Sequence, residues 1–350
     1  MWCSTPSSPS PASSRPVIEA GMTIRGTRRV AALGLALGLA SGSAWAARDL
    51  TGELQDAQAA LAAGNYPAAY QAYLDRGENN PLAQFSLGLF HQYGWGRPVD
   101  LAEACRWQEK AARGNIPAAQ QALADCLRGG VHRPADPAAA AHWYEQAALS
   151  GILTAPCSLA ELYMAGEGVP KDPRKALELC RPPAAQGLPA AQLQLARFYL
   201  EGDPMVRDPV AALHWMRVAA QAGNAEAQYR LGLMLRDGIG APTDATSARW
   251  WLESAAGQGW LPAYLPSAAL YWNAPAEPDT GLQSAENLAK TYLWSTAAIS
   301  RLASGSEAEQ ARALLAKVLA RMPETWRTDL DKRVTEHLAR VGGNIEKRSQ

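Results

Sequence analysis

The chain has 350 residues, with 33 basic and 33 acidic side chains that cancel to a formal net charge of zero. That balance excludes a polyanion-binding protein working through net charge. With 48% hydrophobic and 19% charged residues the composition is that of a folded chain, long enough for two or three small domains or one elongated one.

At the amino end, Arg25, Arg28 and Arg29 precede an unbroken apolar run from Val30 to Ala40, and Ala44-Trp45-Ala46 supplies a small-x-small site. This order predicts a secretory signal peptide cleaved after Ala46; the alternative is a short apolar helix packed on the body. The run is too short to cross a bilayer, which takes about 20 residues. The Ser/Pro-rich segment 1–21 would displace the basic region from the chain start, so initiation at Met22 is expected, giving a leader over 1–46 with the signal peptide at 22–46. Losing Arg15, Arg25, Arg28, Arg29 and Glu19 leaves 29 basic against 32 acidic residues, a mildly acidic periplasmic or secreted protein. No cysteine directly follows the cleavage site, so no lipid anchor is expected, and no integral membrane insertion is expected after cleavage.

Residues 47–82 follow as amino-terminal capping helices, Asp49 to Ala63 and Tyr66 to Arg76. A repeat then begins. Alanines recur every 36 residues at Ala83, Ala119, Ala155, Ala191, Ala227 and Ala263. In fixed phase stand Leu87, Leu123, Leu159, Leu195 and Leu231, then Gly94, Gly130, Gly166, Gly202 and Gly238, then Asp100, Asp136, Asp172, Asp208 and Asp244. Five copies hold all three positions, and the sixth breaks with Ser267.

Each copy reads as two helices. The first, about 11 residues in each copy, ends at the recurring Gly, which tolerates a left-handed C-cap. The recurring Asp starts the second by accepting from the orphan amides of its first turn, a cap worth about 1 kcal/mol. Pro137, Pro173 and Pro209 follow at the first helical position, where a missing N–H costs nothing. Trp107, Trp143, Trp215 and Trp251 mark the second helix, with Cys180 taking that place at a one-residue offset in the third copy. Paired alanines and then Gly114, Gly151, Gly187, Gly223 and Gly259 end it. One such hairpin cannot bury its own apolar face, so neighbours must stack into an all-α solenoid. Past an insertion at 273–279, Ser284 to Ile299 resumes the second-helix role. Two closing helices over 301–341, Glu307 to Arg321 and Glu324 to Val341, precede a polar tail at 342–350.

Four cysteines remain in the exported chain, and an oxidising compartment favours pairing. Residues equidistant from a hairpin turn sit side by side. The midpoint of Cys157 and Cys180 falls in the Gly166–Val169 loop of one repeat, and that of Cys105 and Cys126 falls in the turn at Gly114–Ile116 between repeats. Both pairs are placed for a bridge, against the alternative of four buried thiols filling the core.

The pattern Ala227-Gln228-Tyr229-Arg230-Leu231-Gly232 with Gly238-Ile239-Gly240, and Gly166-Glu167-Gly168-Val169-Pro170-Lys171-Asp172, resembles the Sel-one-like repeat, a relative of the tetratricopeptide repeat. The resemblance covers about residues 83–300 and implies a right-handed α/α superhelix of stacked 36-residue hairpins whose concave groove binds protein partners. For an exported bacterial member it implies envelope assembly, secretion or polysaccharide export, or else an effector or surface protein that contacts another organism's proteins. Cysteine-rich secreted members carry disulfides within repeats, which Cys157 and Cys180 resemble. The family's occasional link to penicillin binding raises a remote third reading, a hydrolase of the β-lactamase type.

The chemistry of an enzyme is missing from the sequence. There is no Ser-x-x-Lys, Ser-Asp-Asn or Lys-Thr-Gly set, no His-Glu-x-x-His, no Gly-x-Ser-x-Gly and no phosphate-binding Gly-Lys-Ser/Thr loop. His91, His132, His142, His214 and His337 are scattered, so neither a metal site nor a cofactor is expected, and Cys126 with His132 lacks an evident third group. Charge and export together speak against nucleic acid. The predicted partner face lies on the first helices, at Gln92, Asp125, Arg128, Glu161, Arg197 and Arg236, with Gln84 and Gln194 as weaker candidates. Its mixed signs suit a protein surface of patterned polarity.

Overall fold

The computed structural model describes residues 49–302 and 304–349, with only the backbone described for 343–349; the leader, Met22 and the Ala46 cleavage site lie outside the described residues. Among the described residues there are sixteen α-helices and no strand. Helices α1 (Gln55–Ala62) and α2 (Tyr66–Arg76) form the opening pair. Five hairpins follow: α3 (Pro81–Tyr93) with α4 (Leu101–Arg113), α5 (Pro117–Gly129) with α6 (Pro137–Leu149), α7 (Ala155–Ala165) with α8 (Pro173–Ala185), α9 (Pro189–Glu201) with α10 (Pro209–Gln221), and α11 (Ala225–Asp237) with α12 (Ala245–Gly257). A sixth, α13 (Tyr264–Trp272) with α14 (Ala285–Arg301), is closed by α15 (Ser306–Leu319) and α16 (Arg327–Ser349). None of the described helices is long and apolar enough to cross a membrane.

In four repeats the first helix starts two residues before the recurring Ala, with Pro81, Pro117 and Pro189 at the first turn or with Asn224 as the cap of α11, and so runs to 13 residues rather than 11. In the third repeat Leu153 stands at that place, and α7 starts only at Ala155.

Each of the five complete hairpins is tied by its recurring aspartate at both ends of the residue. The carboxylates of Asp100, Asp136 and Asp172 each accept from the third amide of the helix that follows at 2.9–3.0 Å, while Asp208 and Asp244 accept from two amides each. The backbone N–H of each Asp reaches back to the last turn of the first helix: Asp100 to His91 O, Asp136 to Leu127 O, Asp172 to Tyr163 O, Asp208 to Tyr199 O and Asp244 to Leu235 O, all at 2.9 Å. One residue therefore starts the second helix and closes the turn onto the first.

Four of the five recurring glycines cap the first helix in the left-handed region, with φ of 68°, 64°, 77° and 71° at Gly94, Gly130, Gly166 and Gly238. Gly202 instead is extended, with φ −68° and ψ −168°, because Asp203-Pro204 replaces the Gly-x-Gly loop. At the other turn the reading of Gly114 is corrected. The position in phase with Gly151, Gly187, Gly223 and Gly259 is Asn115, whose φ of 65° is the one positive value among the described non-glycine residues. Asn is the side chain that best tolerates that region.

The large residue that fills the second helix also sits one place later than the sequence suggested. Trp107, Trp143, Trp215 and Trp251 are half-buried, whereas the next residues in phase, Gln108, Tyr144, Cys180, Met216 and Leu252, are all 1% exposed or less. Cys180 thus holds the ordinary core position, and Leu179 replaces the Trp. Gln108 is the misfit: neither its amide nitrogen nor its oxygen has a hydrogen-bond partner. An unpaired buried amide costs on the order of 1–3 kcal/mol. Gln108→Met, which copies Met216, is expected to raise unfolding stability by about 1–2 kcal/mol in urea titration; a loss of stability would contradict the assignment.

In the sixth repeat the missing leucine is replaced by buried Ser267, whose hydroxyl donates to Ala263 O at 2.7 Å. Tyr264 stacks on Trp294 of α14, with centroids 5.8 Å apart, and shares a 2.9 Å hydrogen bond with His337 of α16. The closing helices therefore cover the last hairpin through a polar tie set in an apolar cluster. Helix α16 continues to Ser349 and takes in most of the segment set apart as a tail, Gly342-Gly343 not breaking it.

Candidate functional site

First helices of successive repeats lie side by side, bridged by polar pairs. Thr154, at the start of α7, donates to Gln121 of α5 at 2.5 Å, Arg128 of α5 pairs with Glu161 of α7, and Arg230 of α11 pairs with Glu201 of α9. The six residues of the expected partner face fall on this row and sort into two groups.

Asp125, Arg128 and Glu161 are brought together. The Tyr144 hydroxyl donates to Asp125 Oδ1 at 2.5 Å, and Arg128 also approaches Glu167 at 3.6 Å. Asp125 keeps an exposed edge, yet burial of its carboxyl raises its pKa, with the Tyr144 hydrogen bond and the Arg128 charge pulling the other way. Burial, then the Asp125 carboxylate, push the Tyr144 hydroxyl far up. Arg128 and Glu161 thus join two repeats while Asp125 is tied within its own hairpin, so the trio serves the fold as well as the surface.

Gln92, Arg197 and Arg236 are not part of that network. Gln92 is exposed at the end of α3. Arg197 lies 3.8 Å from Glu201 on its own helix, and Arg236 pairs with its neighbour Asp237 at 2.6 Å. Sequence reasoning missed Arg230, held by Glu226 at 2.8 Å as well as by Glu201; the signal was the Glu226–Arg230 spacing of four residues on one helix.

Gln84 is corrected outright. It is 9% exposed and donates to Gly77 O at 2.8 Å. In phase with it, Gln192 donates to Ala184 O and Gln228 to Ala220 O, both at 3.2 Å. The recurring Gln at these three places therefore satisfies a carbonyl at the end of the preceding helix, and its regular phase with the core alanines was the signal of burial. In the second repeat Gln120 donates instead to Asn115 Oδ1 at 3.3 Å. Gln194, half-buried, does not join this row.

The cysteines pair as the midpoints require. Cys105 (α4) and Cys126 (α5) join two repeats with Cα atoms 5.9 Å apart, and Cys157 (α7) and Cys180 (α8) join the helices of one repeat at 4.4 Å. The histidines are less scattered than their numbering suggests. His132 lies against the first pair, its ring and both sulfurs offering ligand atoms within 4.8 Å of one another, and its Nε2 meets Glu109 Oε2 at 3.2 Å. Glu109 is the third group that the sequence did not reveal. His142 and His214 are exposed and meet the adjacent Trp143 and Trp215 edge-on. His91 and His337 are buried in aromatic surroundings, and burial lowers both pKa values, with Arg97 and Arg340 respectively adding to the effect.

One apolar cleft of about 280 Å³ opens beside α8, walled by Leu153, Pro156, Leu179, Pro182 and Pro183. Pro182 and Pro183 lie inside the helix and deprive the carbonyls of Glu178 and Leu179 of their helical donors. No titratable cluster lines it.

A family model described as Sel1 repeat matches residues 81–116, 117–152, 157–188, 189–224 and 225–260, which are the five complete hairpins. Its one internal break, 153–156, falls where α7 starts late. Among solved structures the chain is similar to a Sel1 repeat protein from Oxalobacter formigenes, at 26% identity and a TM-score of 0.59 over 71% of this chain and 100% of that one. It is also similar to a protective antigen present in uropathogenic Escherichia coli strains that displays an SLR fold, at 22% identity and a TM-score of 0.61. That match covers 84% of this chain and 58% of the other, so this chain spans less than two thirds of that protein, and the likeness is one of fold. Comparison with curated proteins finds no match.

Proposed function

Because the chain belongs to the Sel1 repeat family, whose members are generally protein-interaction scaffolds, we propose that it is an exported, non-enzymatic adaptor. On this reading it binds a protein partner along the groove lined by its first helices, in bacterial envelope assembly, secretion or polysaccharide export. The observation that carries the reading is the division of the first-helix row. Asp125 is held by Tyr144 of its own hairpin and Arg128 and Glu161 pair across the repeat interface, while Gln92 and Arg236 are exposed and Arg197 is partly exposed, the two arginines pairing only within their own helices. Helical stacking buries most of the apolar surface of the first helices, so along that row polar contacts presented on a rigid frame are what remains for recognition. The two disulfides and the absence of a membrane span among the described helices suit a protein that works outside the cytoplasm.

Reversing Arg197→Glu and Arg236→Glu together tests it. Exposed ion pairs of this kind are worth about 0–1 kcal/mol, so the melting temperature is expected to stay within about 3 °C. Capture of the partner by crosslinking pull-down from isolated periplasm is expected to fall by about tenfold or more, since charge reversal at a rim opposes encounter. Undiminished capture would remove these residues from the interface. A captured set made up of another organism's proteins would favour an effector instead.

A further inference from the structure

The loop residue in phase with Gly96, Gly168 and Gly240 is His132 in the second repeat. That place packs on the preceding repeat's second helix, so a histidine there reaches Cys105 of α4, and Cys126 of α5 lies across from it. The His132 side chain is 5% exposed, its Nδ1 is buried with no hydrogen-bond partner, and its Nε2 is turned to Glu109. Glu109 is in turn fixed by Arg113 at 2.6 Å and Arg133 at 3.4 Å. A carboxylate orienting one imidazole nitrogen while the other stands unused is the arrangement that supports a histidine metal ligand.

We propose that Cys105, Cys126 and His132 form a zinc site in the reduced protein, with disulfide and metal as alternative occupants of one place. Two thiolates and an imidazole suit a soft d10 cation, leaving a fourth position for water. Cα atoms 5.9 Å apart allow the two sulfurs to part around a shared ion without moving α4 from α5. The second pair, at 4.4 Å with no histidine beside it, lacks this set. An external dithiol supplies the two electrons and two protons that break the S–S bond, and is itself oxidised to a disulfide. Zn²⁺ then displaces the two thiol protons to solvent and takes the Nδ1 lone pair of neutral His132. Oxidation by a disulfide reverses the sequence and expels the ion. The inference is independent of the partner-binding reading.

The test treats the intact protein with limiting dithiol under anaerobic conditions, so that the more buried Cys157–Cys180 bond is spared, and titrates it with Zn²⁺ against a chromophoric chelator and with Co²⁺ for its thiolate charge-transfer band. The reduced protein is expected to bind one equivalent and the oxidised protein none. His132→Ala is expected to weaken binding more than tenfold and alter the Co²⁺ ligand-field bands, and Glu109→Gln, which leaves all three ligands, to weaken it about 10–100-fold. Circular dichroism checks that each variant is folded. Zinc binding by the oxidised protein, no binding by the folded reduced protein, or unchanged affinity in folded His132→Ala would overturn the proposal.

Discussion

Gly168→Ala is expected to destabilise the protein by about 3 kcal/mol, against about 1 kcal/mol for Gly151→Ala. Both glycines have positive φ, 67° and 89°, so both substitutions carry the backbone strain of an L residue in that region. They differ in what a Cβ would meet. At Gly168 it would fall 2.3 Å from Ala138 N and 2.4 Å from Pro137 C, the backbone that starts α6, whereas at Gly151 nothing lies within 4 Å. A helix start cannot yield as a flexible side chain can, so the third repeat would be pushed off the second. Gly240 meets Pro209 O at 2.2 Å in the same way, and Gly96 meets Tyr66 Cβ at 2.7 Å. The second glycine of the Gly-x-Gly loop is therefore a contact between repeats. Urea titration of the two variants side by side separates this from a simple turn requirement, under which both would lose the same amount.

Removing the Cys157–Cys180 bond by Cys157→Ala with Cys180→Ala is expected to cost about 3–4 kcal/mol. A bridge across 23 residues of sequence restrains the unfolded chain by about 3 kcal/mol in the chain-entropy treatment. The loss of sulfur volume at Cys180, fully buried in the row of Tyr144 and Met216, adds to it. Stability in a stacked array is a sum of local terms, so hydrogen exchange should quicken first in α7 and α8. Full reduction of the unaltered protein breaks both bonds while keeping the thiols in the core, and should show the entropic parts of the two bonds together. Uniform acceleration along the whole array would contradict the local character of the bridge.

The fold was legible because each defining residue performs a separable local task. Asp100 and its four counterparts announce a helix start by side-chain chemistry alone, and Gly94 a helix stop by its conformational freedom. What required three-dimensional positions was reach between repeats. Gln84 and Gln228 look like surface residues until the carbonyl they satisfy is seen, and Cys180 looked like a displaced Trp because core and half-buried positions are adjacent in sequence. His132 and Glu109 are 23 residues apart, and only the stacking of α4 against the following loop brings them together. The partner face was legible only as a row of first-helix polar residues. Whether such a residue is tied into the interface, as Arg128 is by Glu161 and Glu167, depends on side chains of the neighbouring repeat.

The central claim, that partners are engaged by the first-helix row, is tested most directly by placing a photo-crosslinking residue singly at Arg197 and Arg236, and at His142 and His214 on the exposed side of the second helices, in the full-length protein. The account predicts a common crosslinked protein from positions 197 and 236 and none from 142 and 214. Crosslinks to that same protein from the second helices, with the first-helix positions silent, would contradict it.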